Sequence, residues 1–521
     1  MFLARPSQRH FSVSRAHFKR INVAQLLAQN AEAKDVEVSG WVRSVRRQKK
    51  VGFAAVGDGS TLHSVQAVLK PEDAAKLSTG AAVQLNGSWQ TSHGEKQSHE
   101  LKVQTTTLLG ENDAEHNPLQ PKYQTPEYLR TIPHLRPRIP TNALLLRLRS
   151  HVIATLTNFF HHQGYVQCHT PIITSSDCEG AGEVFTVSSS SSSPTNHSYS
   201  PTTSTLNPPS QQQPDHFFRT PKYLTVSSQL HLEALAQAVD KVWTLSPTFR
   251  AEKSDTPRHL SEFYMLEAEL CFTTDLSDLM NLVENLLKTV AQTLEASTLG
   301  AEILQARSTT TSSSSSSSNT DTDSATQDTS LASAKTLSTR WASLKAGSFP
   351  RLTYAEALSH LQNAPPSTTT NFTVPPTWNT GLQAEHERYL TTTLGPVFIT
   401  HYPTAQKPFY MLPSSSPSTP TPETQQQHPP TVQNFDLLLP SILELAGGSL
   451  REHRPDHLTR ALAEKNLSGA GLEWYQDLRR YGSVPHGGFG LGFDRLLGFL
   501  AGVPSVRDVV AFPRWWGRGE C

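Results

Sequence analysis

The sequence has no excess charge of either sign: 45 Lys+Arg balance 45 Asp+Glu, for a formal net charge of zero. No global field draws in nucleic acid, so any RNA contact has to come from a local basic patch. Cysteine is scarce and scattered. Cys168, Cys178, Cys271 and Cys521 form no CxxC pair, which suggests neither a zinc site nor a disulfide framework. No apolar run approaches the ~20 residues of a membrane-crossing helix, so membrane insertion is not expected. There is no internal repeat, and no strand–GxGxxG–helix unit with a later acid of the dinucleotide-binding kind.

Acids are also missing from the start of the chain. Arg5, Arg9, Arg15, Lys19 and Arg20 precede the first acid, Glu32, with serines and Phe2, Leu3, Phe11, Val13 and Phe18 between them. Arg-rich, Ser-containing and acid-free is the make-up of a mitochondrial presequence, and the lack of a continuous apolar stretch argues against a secretory signal. We therefore expect residues 1–31 to be a targeting presequence and the protein to reside in the mitochondrial matrix. The alternative reading is a basic tail that binds RNA.

A β-rich block follows. Val36–Val42 alternates like a strand, Gly57-Asp58-Gly59-Ser60 signals a turn, and Val65–Leu69, Ala82–Gly87 and Leu101–Gln104 read as further strands. Several short strands in so few residues predict a small β-barrel of the OB-fold type over 32–115, a fold used on single-stranded nucleic acid. Arg43, Arg46, Arg47, Lys49 and Lys50 form the local basic run that the balanced total conceals. Phe53 offers a stacking face and Gln66 an amide for base edges.

A proline-studded linker is expected over 116–141 and an α/β domain over 142–521. That domain opens with a helix striped by Leu144, Leu148, Val152, Leu156 and Phe159. Ser/Thr/Pro/Gln-rich inserts near 188–214, 308–330 and 413–430 cannot bury apolar surface and are expected to be disordered loops.

The chemistry is concentrated in two segments. Phe249-Arg250-Ala251-Glu252, a charged loop, and Arg258-His259-Leu260-Ser261-Glu262-Phe263 lie between two apolar-patterned strands. Gly487-Gly488-Phe489-Gly490-Leu491-Gly492 reads as a glycine-rich turn running into a helix that carries Arg495. A guanidinium presents a planar donor fork to phosphate, and glycines allow close backbone approach. With the helix–strand–proline run from Asn142 to Ile173, these segments resemble motifs 1, 2 and 3 of the class II aminoacyl-tRNA synthetases.

The resemblance implies an α+β protein: an N-terminal OB-fold plus a catalytic domain with an antiparallel sheet flanked by helices. It implies that Arg250 and Arg495 are catalytic. ATP is bound by Arg250, Glu252, Arg258, His259, Phe263, Glu444 and Arg495, with Mg²⁺ held by Asp436 and Glu444. The 142–173 helix and strand imply a homodimer, and Arg46, Phe53 and Gln66 read an anticodon. The barrel narrows the class to the Asp, Asn and Lys group. Ser175–Glu183, Tyr223–Leu230, Tyr402–Met411 and Arg479–Gly490 resemble the asparagine branch more than the aspartate branch. That branch implies ATP, L-asparagine and tRNA(Asn) as substrates. Its amino-acid pocket would comprise Glu179, Ser228, Gln229, Glu262 and Arg451. Arg451 would donate to the side-chain carbonyl and Glu262 accept from the amide NH2, since an amide has both donors and acceptors and a carboxylate only acceptors. Alternatively, Glu262 braces the adenine side, and Asp436 and Glu444 form a structural pair. The stretch departs from the family at Leu443, where glycine is usual, and at Leu450, where glutamine is usual.

Overall fold

The computed structural model describes residues 20–92, 94, 97–175, 183–188, 217–308, 331–365, 372–414, 429–469 and 471–521. The expected inserts fall almost wholly outside these residues, as does most of the expected presequence. The described chain forms two compact units, one comprising 1–122 and 138–144, the other 123–137 and 145–521.

The first unit is a closed barrel of β1 (Ala33–Arg47), β2 (Gly52–Gly57), β3 (Val65–Leu69), β4 (Ala82–Thr91) and β5 (His99–Gly110), in the order β1-β2-β3-β5-β4. Alternation turns Val36, Val38, Val56, Val65, Ala67, Val83 and Leu85 into one core. A register shift between Val42 and Ser44 lets β1 serve both β2 and β4. The strand β2 is not among those the sequence marks; its small residues Ala54 and Ala55 alternate in burial but not in character.

The end of the expected presequence packs into the barrel unit. Asn22 caps a short helix, Val23–Leu27, whose Val23 and Leu26 are fully buried in the barrel core. The turn at Asp58–Ser60 holds that helix through bonds to the Val23 and Ala24 amides. Residues 116–141, the expected linker, divide between the two units, with 116–122 and 138–141 in the first and 123–137 in the second. Arg136 is buried and donates to the carbonyls of Arg507, Val510 and Ala511, and Arg130 pairs with Asp508, within residues 123–137 of the second unit.

The second unit is built on a sheet ordered β12-β13-β14-β15-β16-β11-β10-β6. Its strands are β6 (Val166–Gln167), β10 (Lys241–Phe249), β11 (Glu262–Cys271), β12 (Arg351–Thr353), β13 (Val397–Thr400), β14 (Asn434–Leu439), β15 (Leu443–Leu450) and β16 (His486–Gly492). Pairing is antiparallel except at β6/β10 and β12/β13, which are parallel. Short strands β7 (Ile173–Thr174), β8 (Thr186–Val187) and β9 (Lys222–Leu224) make a separate small sheet. The striped helix, α1, spans Pro140–His162, and its stripe ends on Phe160, fully buried, rather than on Phe159.

Cross-strand partners share a face, so register divides the residues of the sheet. On one face β11 carries Leu266 and Ala268, β16 Phe489 and Leu491, and β14 Phe435 and Leu437, all buried. Helix α3 (Leu276–Glu295) packs against β14, β15 and β16, whereas helix α2 (Gln229–Val239) lies on the Glu269 side of β10 and β11, with Leu232 and Ala236 against Val242. The other face carries Phe263, Met265, Glu267 and Glu269 from β11, Gly488 and Gly490 from β16, Gly447 and Ser449 from β15, and Asp436 from β14.

The glycine-rich segment is therefore not a turn but the strand β16. Its glycines alternate with Phe489 and Leu491, and the bare positions open the polar face. A Cβ on Gly488 would lie 2.2 Å from the Glu269 carboxyl carbon, so glycine here makes room for a side chain. Leu443, at the expected glycine position, sits at φ +63° with a buried side chain. A left-handed L-residue costs about 1–2 kcal/mol, less than the roughly 2–5 kcal/mol that a buried leucine contributes. Leu443→Gly should thus destabilise the chain by about 1–3 kcal/mol in urea titrations; a stabilised variant would mean that backbone strain outweighs packing.

Candidate active site

The hairpin β10–β11 closes the Arg250 end of the polar face, with Phe249 opposite Glu262. The Arg250 guanidinium lies 5.7 Å from the centre of the Phe263 ring, and its Nη1 is 3.9 Å from Glu252 Oε1. His259 is held by the hydroxyls of Thr256 and Ser254, with Nε2 3.6 Å from Glu252. Its pKa is depressed by burial first; Glu252 opposes this, and Arg495, Arg258 and Arg250 add to it. The three arginines, two from the β10–β11 hairpin and one from the helix after β16, thus act on one imidazole. Arg495 Nη1 donates to the Glu444 carbonyl at 2.8 Å.

Beside this cationic end stand acids. A Cβ placed on Gly447 would lie 3.2 Å from Asp436 Oδ1 and 3.8 Å from Glu444 Oε1, so the two carboxylates converge over that bare position. Lys407 Nζ binds the other Asp436 oxygen at 2.7 Å and sits 4.0 Å from the Tyr402 ring centre. Glu387 is pushed up to about 7 by burial and then by Glu444 and Asp436, against the pull of Arg258 and Arg495. A hard dication prefers carboxylate and phosphate oxygens, and this oxygen pair fits such an ion. No cluster of three metal-binding side chains occurs among the described residues.

The far end of the face is buried. Arg451 and Glu269 are 3% and 1% exposed. Arg451 Nε donates to both Glu269 oxygens at 3.2 and 3.4 Å, its Nη2 makes a shorter bond to the same carboxylate, and Nη1 donates to Ser449 Oγ at 2.7 Å. Burial opposes the Arg451 charge, but Glu269 and Glu233 outweigh it and raise its pKa. Burial, opposed by Arg451 and aided by Glu233, pushes Glu269 up to about 7. Glu267 accepts from the Ser228 amide at 2.9 Å, at the N-terminus of α2, and from the Ser227 hydroxyl. A helix start favours such an anion.

Several expected residues are placed differently. Glu262 is exposed, on the opposite face of β11 from Glu267 and Glu269; the acid that meets Arg451 is Glu269. The Ser228 hydroxyl is buried between Thr170 and Ser246. Gln229 donates through Nε2 to Glu233 at 3.0 Å. Glu179 lies outside the described residues. Leu450 is buried and touches the Gly487 side of β16. In the barrel unit, Arg46 pairs opposite Phe53, with its guanidinium 5.6 Å from the ring centre. Gln66 pairs opposite Ala55 on the same outward face as Phe53.

The family described as tRNA synthetases class II (D, K and N) matches residues 126–516, and an OB-fold nucleic acid binding domain matches 36–109. The chain belongs to the class II tRNA synthetases. Among its relatives, an asparaginyl-tRNA synthetase from Mus musculus is 40% identical over 94% of this chain and 92% of its own length. An asparagine--tRNA ligase, mitochondrial, from Schizosaccharomyces pombe is 39% identical over 92% of this chain and 93% of its own. The solved asparaginyl-tRNA synthetase from Pyrococcus horikoshii, complexed with asparaginyl-adenylate, superposes with a TM-score of 0.75 at 28% identity, covering 96% of this chain and 99% of that one. These likenesses place the chain in the asparaginyl branch of the class II ligases.

The sequence reading missed Glu267, Glu269, Glu233 and Lys407. A signal existed for the first two. In Met265-Leu266-Glu267-Ala268-Glu269 the acids alternate with apolar residues inside a strand, which puts both on one face. Lys407 stood in a quoted stretch, but only the fold brings it to Asp436.

Proposed function

We propose that this chain activates L-asparagine with ATP to asparaginyl-adenylate and pyrophosphate, then transfers asparagine to tRNA(Asn) in mitochondrial translation. The observation that carries this reading is one polar sheet face with three arginines at one end and the buried Arg451–Glu269 pair at the other.

In this reading Phe263 stacks on adenine and Arg250 grips the α-phosphate together with the amino-acid carboxylate. Arg258, His259 and Arg495 meet the outer phosphates, and Glu252 holds Arg250 and His259 in register. Asp436 and Glu444 would hold Mg²⁺, whose charge would neutralise the polyphosphate. The attacking carboxylate is already ionised at neutral pH, so no general base is required, and the arginines act by positioning and charge stabilisation. Glu267 accepts from the substrate ammonium, a role the family resemblance also implies for Glu179. Arg451 donates to the side-chain carbonyl, and Glu269 takes over the role first assigned to Glu262, accepting from the amide NH2. Aspartate offers Glu269 no donor and a like charge, a mismatch that supports roughly thousandfold rejection.

Arg46, Phe53 and Gln66, on one outward face of the barrel, suit anticodon bases. Phe53→Ala should raise the KM for tRNA about tenfold, the loss of one base stack, while tRNA-independent ATP–pyrophosphate exchange stays unchanged; an unaltered KM would remove Phe53 from that role. A homodimer through 142–173 is supported by the exposure of Leu146, Val166, Ile172 and Ile173. Mitochondrial residence is supported by the acid-free N-terminus and by relatives labelled mitochondrial. With residues from about Ile21 in the barrel unit, the presequence would end before that point.

The deciding experiment is ATP–pyrophosphate exchange with asparagine and with aspartate as separate substrates. Asparagine-dependent exchange is the expected result, and exchange driven by aspartate alone would overturn the assignment.

A further inference from the structure

The most heavily bonded side chain near the polar face has no place in the chemistry above. Glu233, on α2, is fully buried. Its carboxylate accepts from Gln229 Nε2 at 3.0 Å, from the Tyr475 hydroxyl at 2.7 and 2.9 Å, and from Arg479 Nη2 at 2.7 Å. His486 Nε2 lies 3.1 Å away and Arg451 Nε 3.9 Å away. One carboxylate therefore contacts both Gln229, which the resemblance puts in the amino-acid pocket, and Arg451, assigned above to the side-chain carbonyl. Its other partners come from helix α4 (Glu473–Arg480) and the start of β16, so three separate elements meet on it.

Two consequences follow from hydrogen-bond chemistry. A carboxylate only accepts, so it fixes which way the Gln229 amide faces: Nε2 is committed inward, and Oε1 is left as an acceptor. An acceptor suits an ammonium or an amide NH2 and disfavours a carboxylate. Glu233 also shares its charge between Arg451 and Arg479. Burial opposes the Glu233 charge, but Arg479, His486 and Arg451 outweigh it and depress its pKa. That shared charge keeps the Arg451 end from acquiring an excess of positive charge that would attract aspartate.

We propose that Glu233 is a positioning residue for amino-acid specificity, which orients Gln229 as an acceptor and balances Arg451 so that the pocket admits an amide and refuses a carboxylate. This rests on the reading of the chain as an asparagine-activating ligase.

The test is ATP–pyrophosphate exchange by the full-length chain carrying Glu233→Gln or Tyr475→Phe, with KM and kcat measured for asparagine, aspartate and ATP. Glu233→Gln should raise the asparagine KM and lower the asparagine-to-aspartate ratio of kcat/KM by about tenfold or more, with the ATP KM unchanged. Tyr475→Phe removes one donor and keeps the charge, so it should raise the asparagine KM by a few fold, roughly the effect of one lost hydrogen bond. A merely structural role would lower kcat alike for both amino acids and leave the ratio intact. If Glu233→Gln does not fold, Tyr475→Phe decides. Wild-type selectivity in the soluble variants, with an asparagine-dependent wild type, overturns this inference alone. A wild type indifferent to asparagine overturns it together with the proposed function.

Discussion

Arg250→Lys should lower asparagine-dependent ATP–pyrophosphate exchange by about a thousandfold in kcat, comparable to removing a preorganised donor from a developing anion. The charge is kept, so a loss of this size reports geometry. The Arg250 fork lies between the Phe263 face and Glu252, with His259 bracing Glu252. A lysine offers one point of charge on a flexible stem and cannot hold two oxyanions at fixed separation. Arg495→Lys should fall in the same direction, because its Nη1 is already committed to the Glu444 carbonyl and only the remaining donors serve phosphate. A variant of either arginine with near-wild-type exchange would show that the two guanidiniums do not grip a common nucleotide.

Glu269→Gln should have the other large effect, on selectivity. Both partners of the Arg451–Glu269 pair are almost wholly buried. Neutralising Glu269 leaves the buried Arg451 guanidinium with only the more distant Glu233 as counter-charge. The carboxylate of aspartate can supply that missing charge, so the variant should activate aspartate and lose most of the roughly thousandfold preference for asparagine. The same substitution at Glu262, which faces away, should leave the preference intact; that contrast separates the two acids in one assay.

Acidity should mimic the substitution. Burial raises Glu269 to about 7, so its carboxylate is complete only above that pH. As the pH falls through 7 the group gains a proton, keeps only part of its acceptor capacity for the amide, and can donate to a carboxylate. Wild-type preference for asparagine should therefore weaken on acidification, and Glu269→Gln should flatten the profile. The stability linkage runs the other way. With its folded pKa above the unfolded value, the group favours the folded state while protonated, and that contribution is lost as the pH rises through about 7. A selectivity profile that does not change across neutral pH would mean that Glu269 stays ionised throughout.

The elements that carry the ATP end were legible in the sequence because they depend on local pattern. The alternation around Val242–Phe249 and Tyr264–Ala268 fixes two strands, and the charged run between them has nowhere to go but a loop. The helix after β16 was equally plain, since Phe493, Leu496, Leu497 and Leu500 are all buried. The amide end was not legible. Glu262 and Glu269 are both acids on one strand, and a choice between them depends on which face of the pleat each occupies, where a one-residue slip reverses the answer. The glycines of β16 were misread for a related reason. A Gly-rich run permits both a turn and a strand, and only the neighbouring Glu269 side chain shows that bare positions were needed for space.

The sequence by itself determined the family, and with it the reaction class, because the residues that resemble motifs 1, 2 and 3 fall in ordered, local runs. It also determined the barrel, since short alternating strands with turn signals leave few other ways to bury valines. Tertiary structure alone decided the partners. Arg451 and Glu269 stand 182 positions apart, and Glu233 meets Arg479 across 246. Separations of that length are closed by sheet register and helix packing, so the identity of the acid that faces each guanidinium is a property of the assembled sheet.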